Sequence, residues 1–169
     1  MNEFEKKKRE IMTPLLVEMG AALMDCQSFE FGIALLLLHL SRVGVDGLDP
    51  AEHFAILENK TKKTAGQLIA MLKMRVDVRG DFEAILADAL DARNFLMHRS
   101  YIENVERIPE ASSRAALVKE LRNLRTRVQK ADRLIRPFVE NFSKALDGAD
   151  FDRFRAEARA TMLDERSEK

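Results

Sequence analysis

Three side chains in one short run, Arg93, Asn94 and His98, are of the types that do acid–base chemistry on a phosphodiester. A histidine side chain titrates near neutrality and can take or give a proton, while an arginine keeps its charge and presents several donors to phosphate oxygens. Cutting an RNA strand needs little more, because the 2′-hydroxyl is the nucleophile. It needs a general base or acid, and a cation against the charge that develops on phosphorus. Asn94, four residues before His98, shares its helix face and can hold the imidazole or bond a phosphate oxygen. Arg99 and Tyr101, just beyond, are candidates for substrate binding.

These residues sit inside a strongly helical apolar pattern. Phe82, Ile85, Leu86, Ala89 and Leu90 recur at helical spacing, and Phe95, Leu96 and Met97 carry it on, so the run lies late on a helix that Asp81 is expected to cap. At about 100° per residue, Arg93 and His98 diverge by roughly 140°. One straight helix is then expected not to aim both at one point. Either the helix loosens around Met97, or the two meet their counterparts from a second copy across a two-fold axis. The plainer alternative is a polar cluster that caps the helix and bonds the following loop. Asp81, Glu83, Asp88 and Asp91 precede Arg93 and read as a solvated acidic face, with Asp91 as a possible orienting group for Arg93 or His98.

Arg followed directly by Asn, three further residues and then His, late on a helix of an all-α chain, resembles the R-x4-H signature of the HEPN family (higher eukaryotes and prokaryotes nucleotide-binding). The resemblance covers residues 29 to 101, and its specific part is Arg93, Asn94 and His98. It implies an HEPN-like all-α antiparallel helical bundle with an additional long C-terminal helix. It also implies either a metal-independent endoribonuclease with a composite site in a homodimer, or a non-catalytic helical regulator. The first is the toxin type, for which RNA is the substrate and an antitoxin a partner. The second is similar to mannitol-operon repressor-type proteins and acts through protein contacts. One HEPN subgroup carries Tyr two residues after the His; here Ser100 stands there and Tyr101 follows.

The chain has 169 residues, 46% of them hydrophobic, enough for one domain with a core: a single helical bundle over 1–146 and a charged helix over 147–169. Twenty-eight Lys and Arg against 28 Asp and Glu leave no net charge, so any RNA binding is expected to be local. With Cys26 as the single cysteine no internal disulfide can form, and a cytoplasmic setting is the simplest reading. The run Ile33 to Leu38 is too short to span a bilayer, and no membrane association is expected. Cys26, His39 and His53 lack partners at ligand spacing, so neither a metal site nor any other cofactor is expected.

In chain order, residues 3–10 form a charged helix start, and Thr13-Pro14 suits the beginning of a central helix. That helix should run through Leu15, Leu16, Met19, Leu23, Phe31, Leu35 and Leu38 to about Val43, with Gly20 and Gly32 marking close packing. Asp49 caps a short helix that leaves His53 on the surface. Asn59 to Lys63 is a polar connector, and a further helix from Thr64 buries Leu68, Ile69 and Leu72. After a break at 109–113, Leu117, Leu121, Leu124, Val128, Ala131, Ile135, Phe138 and Phe142 form a heptad-like seam that lines a bundle or a dimer interface, kinked or divided at Pro137. The same helix carries eight basic residues between Arg114 and Arg136 against Glu120 and Asp132. This stripe tracks a phosphate backbone, is solvated, or pairs with the acids of the motif helix.

Overall fold

The computed structural model describes residues 2–78, 80–148, 152, 153 and 156. Its elements are α1 (Glu3–Arg42), α2 (Pro50–Leu57), α3 (Ala65–Arg75), α4 (Asp81–His98), α5 (Ser100–Asn104), a 3-10 turn over Val105–Arg107, and α6 (Ala111–Asp147). Among the described residues there is no strand, so the chain is all-α. The charged helix expected over 147–169 lies outside the described residues, apart from 147, 148, 152, 153 and 156.

The opening charged segment and the central helix are one element. Asn2 caps α1, its side chain accepting from the Glu5 amide at 2.8 Å, and the helix runs 40 residues to Arg42, about 60 Å at 1.5 Å per residue. Thr13-Pro14 therefore does not start the helix. Pro14 lies inside it, and the Thr13 hydroxyl donates to the Arg9 carbonyl at 2.7 Å. Pro137 likewise lies inside α6 without dividing it. Local signals set the shorter helices. Asp49 accepts from the Ala51 amide at 3.0 Å to cap α2. Thr64 and Gln67 form a reciprocal capping box on α3. α4 starts after Gly80, whose φ of +58 suits glycine, so Asp81 is its first residue and not its cap.

The two long helices run parallel, which departs from the expected antiparallel bundle. Partners advance together along both: Glu18 with Arg122, Asp25 with Gln129, Ser28 with Asp132, His39 with Ser143 and Arg42 with Asp147. α4 is antiparallel to both, since Arg93 meets Glu30 while Asp88 and Phe82 meet Arg127 and Phe138. The course of the chain explains this. α2 and its connector bring it back part of the way along α1, α3 climbs again, and α4 followed by α5 and the 3-10 turn descends to the level of Phe4 to Met12, so α6 starts at the same end as α1.

The buried side of α1 is Leu15, Glu18, Ala22, Cys26, Phe29, Ile33, Leu37 and Leu40, one step round from much of the expected stripe. Leu16, Leu23 and Phe31 are exposed instead. They join Val17 and Met24 to make α1 apolar on two sides. By length and hydropathy α1 alone among the described helices is long and apolar enough to cross a membrane, and here 44% of its most apolar window is buried inside the fold. The seam of α6 turns inward. Leu117, Leu121, Val128, Ala131 and Ile135 pack against α1 and α4, while Phe138 is exposed and stacks on Phe82. The seam therefore lines the bundle. Gly32 lies against it, a Cβ there falling 3.7 Å from Ile135, whereas Gly20 meets open space.

Most buried polar groups along this interface are matched, with Nδ1 of His39 and Nε of Arg127 left without a hydrogen-bond partner among the described residues. Glu18 is 4% exposed and accepts from Arg122 at 2.8 Å and from Arg125, which also reaches Asp25 at 2.7 Å. Burial alone raises the Glu18 pKa, but the hydrogen bonds and charges of Arg125 and Arg122 outweigh it and hold the carboxyl below its usual range. Of the basic stripe of α6, Arg122 and Arg125 pair with acids of α1, and Arg127 reaches the motif helix at Asp88, 2.6 Å away. His39 bonds Ser143 through Nε2 at 2.8 Å and stacks on Phe142, and burial pushes its pKa down. His53 is buried, contrary to the surface expectation, because α2 folds its apolar side onto α1 and the Asp49 carbonyl accepts from Nδ1 at 2.9 Å.

Replacing Glu18 by Gln leaves Arg122 without its counter-charge and Arg125 with that of Asp25 alone. The expected loss at pH 7 is about 2–3 kcal/mol, at the low side for a broken buried pair because Arg122 keeps access to water. A depressed carboxylate pKa stabilises above the ordinary value of 4.5 and is lost as pH falls below it, so the gap between wild type and Glu18→Gln in urea melts should close below about pH 4.5. A gap unchanged between pH 7 and pH 3 would refute this account.

Candidate functional site

Arg93, Asn94 and His98 converge within one chain. α4 keeps its α-helical pattern to His98, with the Arg99 amide still bonding the Phe95 carbonyl at 2.9 Å. The helix neither loosens at Met97 nor needs a second copy to bring the pair together. Arg93 Nη1 donates to His98 Nε2 at 3.0 Å and to Asn94 Oδ1 at 3.1 Å. The expectation of divergence holds for the Cβ directions and fails at the tips. Arginine carries its guanidinium several ångströms from the helix, far enough to bridge five residues.

What holds the guanidinium in that direction is Glu30 on α1, which accepts from Arg93 Nε at 2.5 Å. The Arg93 side chain is 12% exposed and Glu30 26%, so the pair is largely sheltered. Asp91, read from the sequence as part of a solvated acidic face and as an alternative orienting group, is exposed and lines a separate cleft with Asn94, Arg99 and Arg127. Glu30 was the residue missed. Its signal is that an acid inside the apolar run of α1 and an arginine inside that of α4 each require a partner once those runs are buried.

A guanidinium can only donate, so Nε2 of His98 is the accepting atom of this contact. Nη2 of Arg93 has no hydrogen-bond partner among the described residues, which leaves two N–H donors for a ligand.

The two candidate substrate binders part company. Arg99 pairs with Glu103 at 2.7 Å, lies 5.4 Å over the Phe95 ring and borders the cleft that holds Asn94. Tyr101, 59% exposed, lines a different cleft of about 760 Å³ with Phe4, Lys7, Ile11 and Arg114. Ser100, in the place where one HEPN subgroup has Tyr, ends the helix by donating to the Leu96 carbonyl at 2.7 Å. From there Asn104 and Arg107 carry hydrogen bonds on to Glu120 of α6, which props α5 against the bundle.

On the other side of Arg93 a cleft of about 510 Å³ opens between α1, the connector after α2 and α3, with Phe31, Gln27, Asn59, Lys62 and Lys63 on its walls. Cys26, one turn before Glu30, is fully buried, and burial pushes its thiol up to about 11, which keeps it protonated and unreactive at neutral pH. Among the described residues, no three His, Cys, Asp or Glu side chains are grouped as a metal site requires. No protein-family model, no curated protein and no solved structure matches this chain.

Glu30 and Arg93 should behave as a unit. Glu30→Ala and Arg93→Ala should each destabilise the chain, and the double variant should be milder than their sum by about 1–2 kcal/mol. Additive losses in a double-mutant cycle of thermal melts would show that the pair does not hold Arg93 in place.

Proposed function

We propose that this chain is an HEPN-like, metal-independent endoribonuclease that uses the RNA 2′-hydroxyl as its nucleophile. The observation that carries the reading is the 3.0 Å contact between His98 Nε2 and a guanidinium pinned by Glu30. A scissile phosphate binds the free Nη2 donors and draws Arg93 from Nε2. His98 then accepts the 2′-hydroxyl proton as the 2′-oxygen attacks phosphorus, and Arg93 stabilises the charge on the phosphorane oxygens. The bond from phosphorus to the 5′-oxygen breaks, giving a 2′,3′-cyclic phosphate. The 5′-oxygen leaves with the proton that His98 took up, returned by the imidazolium just formed, and in a homodimer two such Arg93/His98 pairs make up the composite site.

The support for a homodimer rests on α1. Leu16, Val17, Leu23 and Met24 are exposed along one side of it, and Leu23 shares a shallow apolar cleft with Met97, next to His98. The second reading, a non-catalytic regulator of the mannitol-operon repressor type acting through protein contacts, draws its support from α6. Arg122, Arg125 and Arg127 of its basic stripe are engaged by Glu18, Asp25 and Asp88, which weakens the stripe as a track for a phosphate backbone.

Single-stranded RNA should be cut in EDTA, giving 2′,3′-cyclic phosphate ends, and a strand with 2′-hydrogen at the cut site should survive. His98→Ala should lower the rate by about 100-fold or more with an unchanged melt, and Arg93→Ala should also weaken binding. No cleavage across varied RNAs, with His98→Ala acting only on the melting temperature, would leave the regulator reading. Light scattering at micromolar concentration should report twice the chain mass, and Met24→Lys should return it to the monomer value. A wild-type monomer would remove the composite site.

A further inference from the structure

Resting on the RNA reading of the Arg93/His98 site, we infer that the cleft beside Arg93 is a subsite for one unstacked base of single-stranded RNA, the base next to the bond being cut. Arg93 is the shared wall: it lines the cleft and touches His98 Nε2 through Nη1. A phosphate held there therefore has the imidazole on one side and the cleft on the other. The cleft, about 510 Å³, falls within the size range of small-ligand sites.

Its walls match a nucleotide part by part. Phe31 is 56% exposed on the cleft, a large ring left uncovered where a base can stack on it. Gln27 and Asn59 add amides, each with donors and an acceptor, as the edge of a base requires. Asn59 is held at a φ of +62, alone among the described non-glycine residues in the left-handed region, a conformation asparagine tolerates better than most.

Charge points the same way. Of the three cations on its walls, Arg93 is engaged by Glu30 and Lys63 pairs with Glu52 at 3.5 Å, while Lys62 has no ion pair among the described residues and leaves one uncompensated positive charge on the cleft. In a chain with no net charge this is a local cationic surplus of the kind a phosphate backbone requires. Stacking on Phe31 demands a base pulled out of its own stack, so the substrate is single-stranded or looped RNA and not a continuous duplex.

The test uses an RNA pentanucleotide carrying one 2-aminopurine, with His98→Ala as host so that the strand is not consumed. Saturable quenching of the 2-aminopurine is expected on binding. Phe31→Ala, at an exposed position, should abolish the quenching and weaken binding about 10- to 100-fold while the circular-dichroism melt stays unchanged. Lys62→Ala should flatten the salt dependence of binding. Equal binding and quenching with Phe31→Ala, or equal quenching when the 2-aminopurine is paired in a duplex, would overturn the subsite. The two readings fail separately. Phe31-dependent quenching in a chain that cuts no RNA sinks the nuclease and keeps the base site; RNA cleavage with binding indifferent to Phe31 does the reverse.

Discussion

A carboxylate can be taken out of water only when its charge is answered, and Glu18, buried between Arg122 and Arg125, sets the terms on which α1 and α6 meet. Sliding one helix past the other by a turn would leave that charge buried and unmatched. Asp25 and Gln129, His39 and Ser143, and Arg42 and Asp147 repeat the same register further along. Apolar packing alone tolerates small shifts; this series of polar matches does not. With α1 and α6 locked side by side, α4 fills the groove between them, which brings Arg93 opposite Glu30.

Two acids of α1, three helical turns apart, thus hold arginines in different ways. Glu18 is closed off, and both its arginines lie on the helix it packs against. Glu30 takes only the Nε edge of Arg93, so one side of the guanidinium is anchored while the other points to Asn94 and His98. The first arrangement makes structure; the second presents a cation. An anchored cation also has less conformational freedom to lose on meeting an anion than a free surface arginine has.

Local rules made much of the fold readable in advance. The cap at Asp49, the start of a helix at Thr64, the apolar face of α3, the seam of α6 and the site run late on a helix all follow from short-range patterns. What escaped depends on distance. The parallel course of α6 is set by how far each intervening helix carries the chain, which periodicity does not encode. α1 was read one step out of phase because it is apolar on two sides, so Leu16 and Leu15 look alike until a partner covers one of them. At the site, Arg93, Asn94 and His98 were found by type and spacing, whereas Glu30 lies 63 residues from Arg93. The separation inferred for Arg93 and His98 considered helix geometry and left out the reach of a long side chain.

The polar matches between α1 and α6 join residues 100 to 107 apart in sequence. Contacts at such separation carry a large loop-closure cost and form late. On the ribosome, the whole of α1 emerges long before α6 exists to cover it. For that interval a helix that is apolar on two sides stands with its buried carboxylate unanswered and its core residues open to water. The nascent chain is then most exposed to aggregation and most dependent on chaperones while α2 to α5 are being made, and the stability of the finished molecule gives no protection during that time.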